Sequence, residues 1–245
     1  MIPRILVIAG SDSGGGAGIQ ADLKTIAMLG GHGMTAITAI TAQNTLGVSG
    51  VEPVSTAMVI AQIDAVASDI GVDAVKIGMI GSAETAHAVA DRLEAMAGVP
   101  LVFDPVMVAT SGSVLADADT IAAFGRLIRR ATVVTPNLPE LAALGGDPLA
   151  LGTAVLVKGG HGEGDLIVDR LVMPDGSETR WADPRIDTRH SHGTGCTLAS
   201  AIATGLGSGM TLVDAVARAR AYVRKALAAA PGLGGGHGPM GFVPE

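Results

Sequence analysis

His192-Gly-Thr-Gly-Cys-Thr197 places the chain's single cysteine directly behind two glycines and just ahead of the apolar series Leu198, Ala201, Ile202 and Leu206. That series has helical spacing, so the hexapeptide predicts a helix N-terminus, where unpaired backbone N–H groups and the positive end of the helix dipole favour an anion. Glycine in such a turn lets a phosphate approach the main chain. A thiol at this position is expected to be acidified and to act as a base or nucleophile near neutral pH. The same pattern also fits a small buried cysteine behind a glycine turn, since free Cys is among the most buried residue types.

Other segments offer complementary chemistry. Gly10-Ser-Asp-Ser-Gly-Gly-Gly-Ala-Gly18 follows an apolar run and opens a helical pattern. Gly16, Gly18 and Ala21 fit the loose GxGxxA spacing of a dinucleotide fold, but the next strand pattern ends in Thr41-Ala42-Gln43, without an acid for a ribose. None of the four lysines, Lys24, Lys76, Lys158 and Lys225, follows a glycine as a Walker loop requires. Asp104-Pro105 and Asn137-Leu-Pro-Glu140 each follow a strand pattern. Two carboxylates placed there could hold hydrated Mg²⁺, which takes few protein carboxylates and keeps water and phosphate oxygens as its other ligands. Glu140 alone also suits the first turn of a helix. Lys158-Gly-Gly-His161 leaves a further strand pattern, and its ammonium could neutralise a transferring phosphoryl group or simply cap a strand end in water. His161 and His192 lack metal-ligand spacing and read as turn or supporting residues.

These residues must be positioned by alternating strands and helices. Short β-branched runs predict strands at 4–9, 34–41, 73–78, 100–104, 131–135 and 153–158. Ala-rich stretches of helical period predict helices at 17–29, 56–70, 83–97, 117–130, 138–145, 195–207 and 212–229, the last capped by Thr211 and Asp214. Residues 165–182, with the turn Pro174-Asp-Gly176, read as an antiparallel hairpin at a sheet edge. The alternation predicts an α/β fold with a mostly parallel sheet covered by helices on both faces. Ligands of such sheets bind beyond the carboxyl ends of the strands, where loops 10–16, 42–50, 104–113, 135–140, 158–164 and 186–196 should gather. An anion turn, a cation, two carboxylates and a thiol on one sheet edge are the components of phosphoryl transfer.

Composition narrows the classes. At 245 residues, without a repeat or linker, the chain reads as one α/β domain. Aromatics make up 2% of it, so a ligand ring would pack on aliphatic and Met side chains rather than stack on Phe or Trp. A net charge of −7 with few lysines argues against nucleic acid, which needs a concentrated basic patch. A single cysteine excludes an intrachain disulfide and suits a reducing compartment. No apolar run reaches the ~18 residues of a membrane span, and Ile5–Ala9 is too short for a signal h-region, so a cytoplasmic protein with no membrane partner is expected.

Taken in order, residues 10–25, Thr41-Ala-Gln-Asn-Thr45, Lys76-Ile-Gly-Met79, Asp104-Pro-Val-Met107, Thr135-Pro-Asn-Leu-Pro-Glu140, Lys158-Gly-Gly-His161 and His192-Gly-Thr-Gly-Cys-Thr197 closely resemble the hydroxymethylpyrimidine/phosphomethylpyrimidine kinases of thiamine synthesis, within the ribokinase-like superfamily. The resemblance spans nearly the whole chain. It implies a single ribokinase-like three-layer sandwich and an ATP- and Mg²⁺-dependent kinase that forms homodimers. It implies an anion hole of main-chain N–H groups from Gly193, Thr194, Gly195 and Cys196, with the Cys196 thiol as base, where sugar kinases carry aspartate. Gln43 would read the pyrimidine through a donor and an acceptor side by side. Gly10, Ala17, Met79 and Val106 would line the ring pocket. Lys158, with Asn137 and Gly195, would meet ATP, and Asp104 and Glu140 would organise Mg²⁺ through water. Many relatives carry glutamate at the Gln43 position and a further crossover helix between Glu140 and residue 153. A vitamin B6 kinase and a non-catalytic pyrimidine-binding regulator are the competing functions.

Overall fold

The structure, a computed structural model, describes residues 1–108, 112, 114–162 and 164–244, except for the side chain of His161. Strands β1 (Arg4–Asp12), β2 (His32–Asn44), β3 (Gly47–Pro53), β4 (Ala74–Ile77), β5 (Leu101–Phe103), β6 (Val133–Val134), β7 (Ala154–Val157), β8 (Leu166–Val172) and β9 (Glu178–Pro184) form one sheet in the order β3-β2-β1-β4-β5-β6-β7-β8-β9. The run from β2 to β7 is parallel, whereas β3 pairs antiparallel with β2, and β8 with β7 and β9. The helices are α1 (Gly18–Met28), α2 (Thr56–Asp69), α3 (Ala83–Glu94), α4 (Ala118–Arg130), α5 (Leu138–Ala143), α6 (Thr194–Gly207) and α7 (Leu212–Ala228).

The period-2 geometry of β1 explains the three layers. Leu6 and Ile8 point to one face, where they pack with Val59 and Ile63 of α2, Val89 and Leu93 of α3, and Phe124 and Leu127 of α4. Ile5 and Val7 point to the other, against Ile26 of α1, Ile202 of α6 and Val216 of α7. Each of these side chains is buried, worth roughly 1.5–3 kcal/mol apiece for the large aliphatics. This is the three-layer ribokinase-like sandwich expected from the resemblance, with the antiparallel hairpin of β8 and β9 at one edge around a turn at Gly176 (φ +82°).

Three sequence expectations are corrected. Residues 42–50 are not a loop: β2 continues to Asn44, whose Oδ1 accepts from the N–H of Leu46 and Gly47 in a tight turn, and β3 returns antiparallel. Because β3 is almost wholly exposed, it carries no apolar alternation to announce it. The loop placed at 10–16 begins only after Asp12, because β1 runs on beside β2 through a register shift between Ala9 and Ser11. The helix at 138–145 is six residues long, and the crossover to β7 is completed by a single 3-10 turn at Leu149–Leu151. Within the expected loop 104–113, residues 109–111 and 113 lie outside the described ones, as does residue 163 of the loop 158–164.

Candidate active site

Helix α6 begins where Gly193 takes a left-handed φ of +83°, and Thr197 N–H closes the first turn on the Gly193 carbonyl at 2.9 Å. Gly195 and Cys196 sit at the second and third helical positions, so their N–H groups have no preceding turn to bond and face outward. The N–H of Thr194 instead reaches the Ser191 carbonyl at 3.3 Å, which narrows the expected four-donor hole. The turn opens into a cavity of about 980 Å³ at the carboxyl ends of the parallel strands. The site residues that the resemblance implies line it: Gly193, Thr194, Gly195 and Cys196 at the turn, with Lys158, Asp104, Asn137, Glu140, Gln43, Gly10, Ala17, Met79 and Val106.

The cation and carboxylates form one buried cluster. Lys158 Nζ lies 2.8 Å from Asp104 Oδ1 and 4.0 Å from Glu140 Oε2. Asp104 Oδ1 also accepts from Thr135 Oγ1 at 2.8 Å. Burial acts to raise the Asp104 pKa, but Lys158 and then Lys76 outweigh it and hold the carboxyl below its ordinary range. Burial likewise acts to lower Lys158, and Asp104 and Glu140 reverse this, so the ammonium stays charged. Glu140 differs: burial, reinforced by the neighbouring Asp104, lifts it to about 7 although Lys158 pulls the other way. Its position is fixed by a capping box, in which Asn137 N–H donates to Glu140 Oε2 and Glu140 N–H donates to Asn137 Oδ1, both at 2.8 Å. The first-turn reading of Glu140 therefore holds together with its place in the cluster.

The thiol departs from expectation. Cys196 is partly exposed to the cavity, but it is not acidified: burial pushes it up to about 11. Lys76 lowers it, Asp22 and Asp104 raise it further, and the Gly18 N–H gives back a little. A helix N-terminus acidifies a thiol that keeps its solvent; this one has lost much of its water and faces two carboxylates.

At the far end, Asp12 organises the glycine-rich loop. Its carboxylate accepts from the N–H groups of Gly14, Gly16 and Ala17 at 2.8–3.0 Å and contacts His192 Nε2 at 3.0 Å. Burial acts to raise Asp12, and the bonds from His192, Ala17 and Gly14 prevail and lower it. His192 Nε2 also lies 3.2 Å from Gln43 Nε2. A carboxylate only accepts, so Nε2 must carry its proton toward Asp12, and it then cannot accept from the Gln43 amide. The Gln43 NH2 is left to donate into the cavity, while Thr41 Oγ1 lies 3.1 Å from its Oε1.

Sequence reasoning missed three parts of this site. Asp12 was hidden inside a glycine motif. The pair Lys76–Asp22, both side chains wholly buried beside the turn, joins residues 54 positions apart that carry no local signal of pairing. The apolar slot of Ile167, Ile186, Val223 and Leu227 joins β8, a loop and α7, which no local motif could bring together. The side chain of His161 lies outside the described residues.

The chain is similar to known proteins along nearly its whole length. A hydroxymethylpyrimidine/phosphomethylpyrimidine kinase of Rhizobium meliloti is 51% identical over 96% of this chain and 95% of that protein. A thiamine biosynthesis multifunctional protein of Corynebacterium efficiens is 45% identical over 97% of this chain, which spans only 35% of that longer protein. Among solved structures, an ADP complex of Bacillus subtilis pyridoxal kinase superposes with a TM-score of 0.90 at 32% identity, covering 99% of this chain and 98% of that one. Residues 12–241 match the phosphomethylpyrimidine kinase family, and the chain belongs to it.

Proposed function

We propose that the chain transfers the γ-phosphoryl group of ATP to the hydroxymethyl group of 4-amino-5-hydroxymethyl-2-methylpyrimidine and then phosphorylates the monophosphate, giving the pyrophosphate used in thiamine synthesis. One observation carries the reading: the anion turn, the Lys158–Asp104 pair and the Cys196 thiol share one cavity with Gly10, Ala17, Met79 and Val106, where Gln43 has a free amide donor. The names of relatives aligned along nearly the whole chain agree with it.

Gly10, Ala17, Met79 and Val106 sandwich the ring, and Gln43 donates to its edge. The slot of Ile167, Ile186, Val223 and Leu227 takes the nucleotide base, so the triphosphate runs toward the Gly195 and Cys196 N–H groups, flanked by Lys158 and Asn137. A side chain at position 195 would lie 3.4 Å from both Asp104 Oδ2 and Lys158 Nζ, so glycine there leaves open the space a phosphate fills. The Cys196 thiolate, formed by loss of its proton to water, takes the hydroxyl proton as the oxygen attacks phosphorus. Lys158 and the N–H groups stabilise the charge that develops on the transferring group.

Mg²⁺ fits the residues present. Among the described residues no three His, Cys, Asp or Glu side chains form a ligand cage, which suits an ion bound through one or two carboxylates, water and phosphate. Asp104 Oδ2 faces the open space at Gly195, and Glu140 lies on the other side of Lys158 from Asp104, so these two carboxylates would hold the hydrated ion. The ion would neutralise phosphate charge.

The competing vitamin B6 kinase is supported by the superposition on a pyridoxal kinase. A coupled assay of ADP release over a panel of pyrimidine and pyridine alcohols tests the choice: preference for the aminopyrimidine alcohol upholds the proposal, and equal or better kcat/KM for pyridoxal rejects it. We place the enzyme in the cytoplasm, on its single cysteine and on the finding that no helix of the described residues is long and apolar enough to cross a membrane. We also assign it a homodimer, supported by exposed Ile40, Leu46 and Val51 along the β2–β3 edge and exposed Met58 in α2, which light scattering would check.

A further inference from the structure

The antiparallel hairpin holds a buried charge cluster that no step so far derived uses. Arg220 of α7 and Asp169 of β8 are each 8% exposed, with Arg220 Nε 2.7 Å from Asp169 Oδ2. A second arm of the guanidinium reaches Asp183 Oδ2 of β9 at 2.7 Å, and the group lies over the Trp181 ring, 5.5 Å from its centroid. The other Asp169 oxygen, Oδ1, accepts from the Gly159 N–H at 2.8 Å. Both oxygens of this carboxylate are thereby engaged, one by the cation of α7 and one by the residue that follows Lys158.

The backbone at Lys158 is held from both strands that flank β7. Its own N–H donates to the Pro136 carbonyl, beyond β6, at 3.0 Å. Gly159 abuts β8 so closely that a Cβ there would stand 2.1 Å from the Val168 carbonyl oxygen. Arg185, directly after β9, donates to the carbonyls of Gly160, Gly162 and Gly164 at 2.7–3.1 Å and fastens the rest of the loop to the same hairpin. From this rim the Lys158 ammonium reaches Asp104 Oδ1 at 2.8 Å, beside the open space at Gly195. An apolar pair of similar volume commonly joins buried elements as firmly as an ion pair, but it would give the Gly159 N–H no acceptor.

We propose that Asp169, held by Arg220, is a positioning residue for Lys158: it fixes the main chain directly after the lysine, so that the ammonium stands where the transferring phosphoryl group passes. This role presupposes the phosphoryl transfer proposed above, in which Lys158 meets the developing charge, and it holds whichever alcohol receives the group. A cluster that only ties β8 and β9 to α7 would lower stability when broken and leave kcat per folded molecule unchanged. One that places Lys158 must lose its effect on turnover once that lysine is gone.

A double-mutant cycle on the full chain reads this difference. Asp169→Ala leaves Arg220 its bond to Asp183 and is expected to lower kcat under saturating ATP by roughly 10–100-fold, the range that a displacement of up to about 1 Å at a reacting group can cost, with a much smaller change in the KM of the alcohol. In a Lys158→Ala background the same substitution should lower kcat by less than about twofold. Equal losses in the two backgrounds, an unchanged kcat in Asp169→Ala, or a loss confined to KM overturns the proposal. If Asp169→Ala does not fold, Asp169→Leu combined with Arg220→Met takes its place in the cycle and is judged by the same outcomes, since it keeps β8 and α7 joined through apolar contact. Full turnover in Lys158→Ala overturns both this role and the reading of Lys158 beneath it, whereas additive losses with Lys158→Ala impaired overturn this role alone. Should the wild type phosphorylate neither the aminopyrimidine alcohol nor pyridoxal, the reading fails, and the same cycle in calorimetric affinity for the ATP analogue AMP-PCP decides: coupled losses support the placement of Lys158, and additive ones overturn it.

Discussion

Gly193 packs so tightly on Gly16 that a Cβ at position 193 would overlap the Gly16 carbonyl oxygen. The contact seats the anion turn directly on the glycine-rich loop, so the two glycine motifs at opposite ends of the chain form one floor. Gly193→Ala is therefore expected to suffer twice, from a left-handed φ of +83° and from the overlap, with a loss of roughly 1–3 kcal/mol from the backbone strain alone. Gly195→Ala meets only ordinary contacts at 3.4 Å and should fold normally while losing turnover, because its methyl occupies the phosphate space. Thermal melts and ADP release on both variants check the contrast.

Cys196→Ala keeps the backbone donors and removes only the thiol. The alcohol step gains from a base, typically 10²–10⁴-fold, whereas the monophosphate supplies an already ionised nucleophile. The variant should lose far more in the first step than in the second. Because burial raises the thiol to about 11, the thiolate fraction grows about tenfold per pH unit below that value. The wild-type alcohol step should rise with pH through 7–9 without the near-neutral plateau of an acidified thiol. Single-step rates under saturating ATP read both effects, and equal losses would assign Cys196 to packing.

Lys158→Ala should lower kcat more than it weakens alcohol binding, since the charge acts where phosphoryl charge develops. It also strands Asp104, a carboxylate 2% exposed, so a stability loss of about 3–5 kcal/mol is expected with it. Lys158→Arg should recover most of the stability. Denaturant melts beside steady-state kinetics separate the two losses.

Gln43→Leu should weaken the pyrimidine by roughly 1–3 kcal/mol and leave ATP nearly unaffected, since a bound ring edge loses its donor. Comparable losses for both ligands in titration calorimetry would show that Gln43 is not the reader.

Glu140 gives a pH signature of stability. Its folded-state pKa of about 7 lies above the unfolded value near 4.5, so the protonated form is the stabilising one. That contribution is complete below about 4.5 and is lost as the pH rises through about 7, a few kcal/mol at most at about 1.4 kcal/mol per unit. Glu140→Gln keeps an acceptor for the Asn137 N–H and cannot ionise. Its Tm relative to wild type should be more favourable at pH 8 than at pH 4, and a difference independent of pH would contradict the burial effect.

The sequence by itself determined the layers and the address of the site. Leu6 and Ile8 against Ile5 and Val7 announce a strand covered on both faces, and strand patterns ending in Asp104, before Asn137 and at Lys158 put chemistry on one edge. These are local signals, carried by periodicity and by residues beside glycine. Only the tertiary structure decided what depends on residues distant in the chain. It set the pKa of Cys196, because water exclusion and the charges of Asp22 and Asp104 outweigh Lys76 and the helix N-terminus that the local sequence shows. It paired Asp12 with His192 across 180 positions and left the Gln43 donor free. It also made an edge strand of Gly47–Pro53, whose exposed residues leave no pattern because nothing buries them.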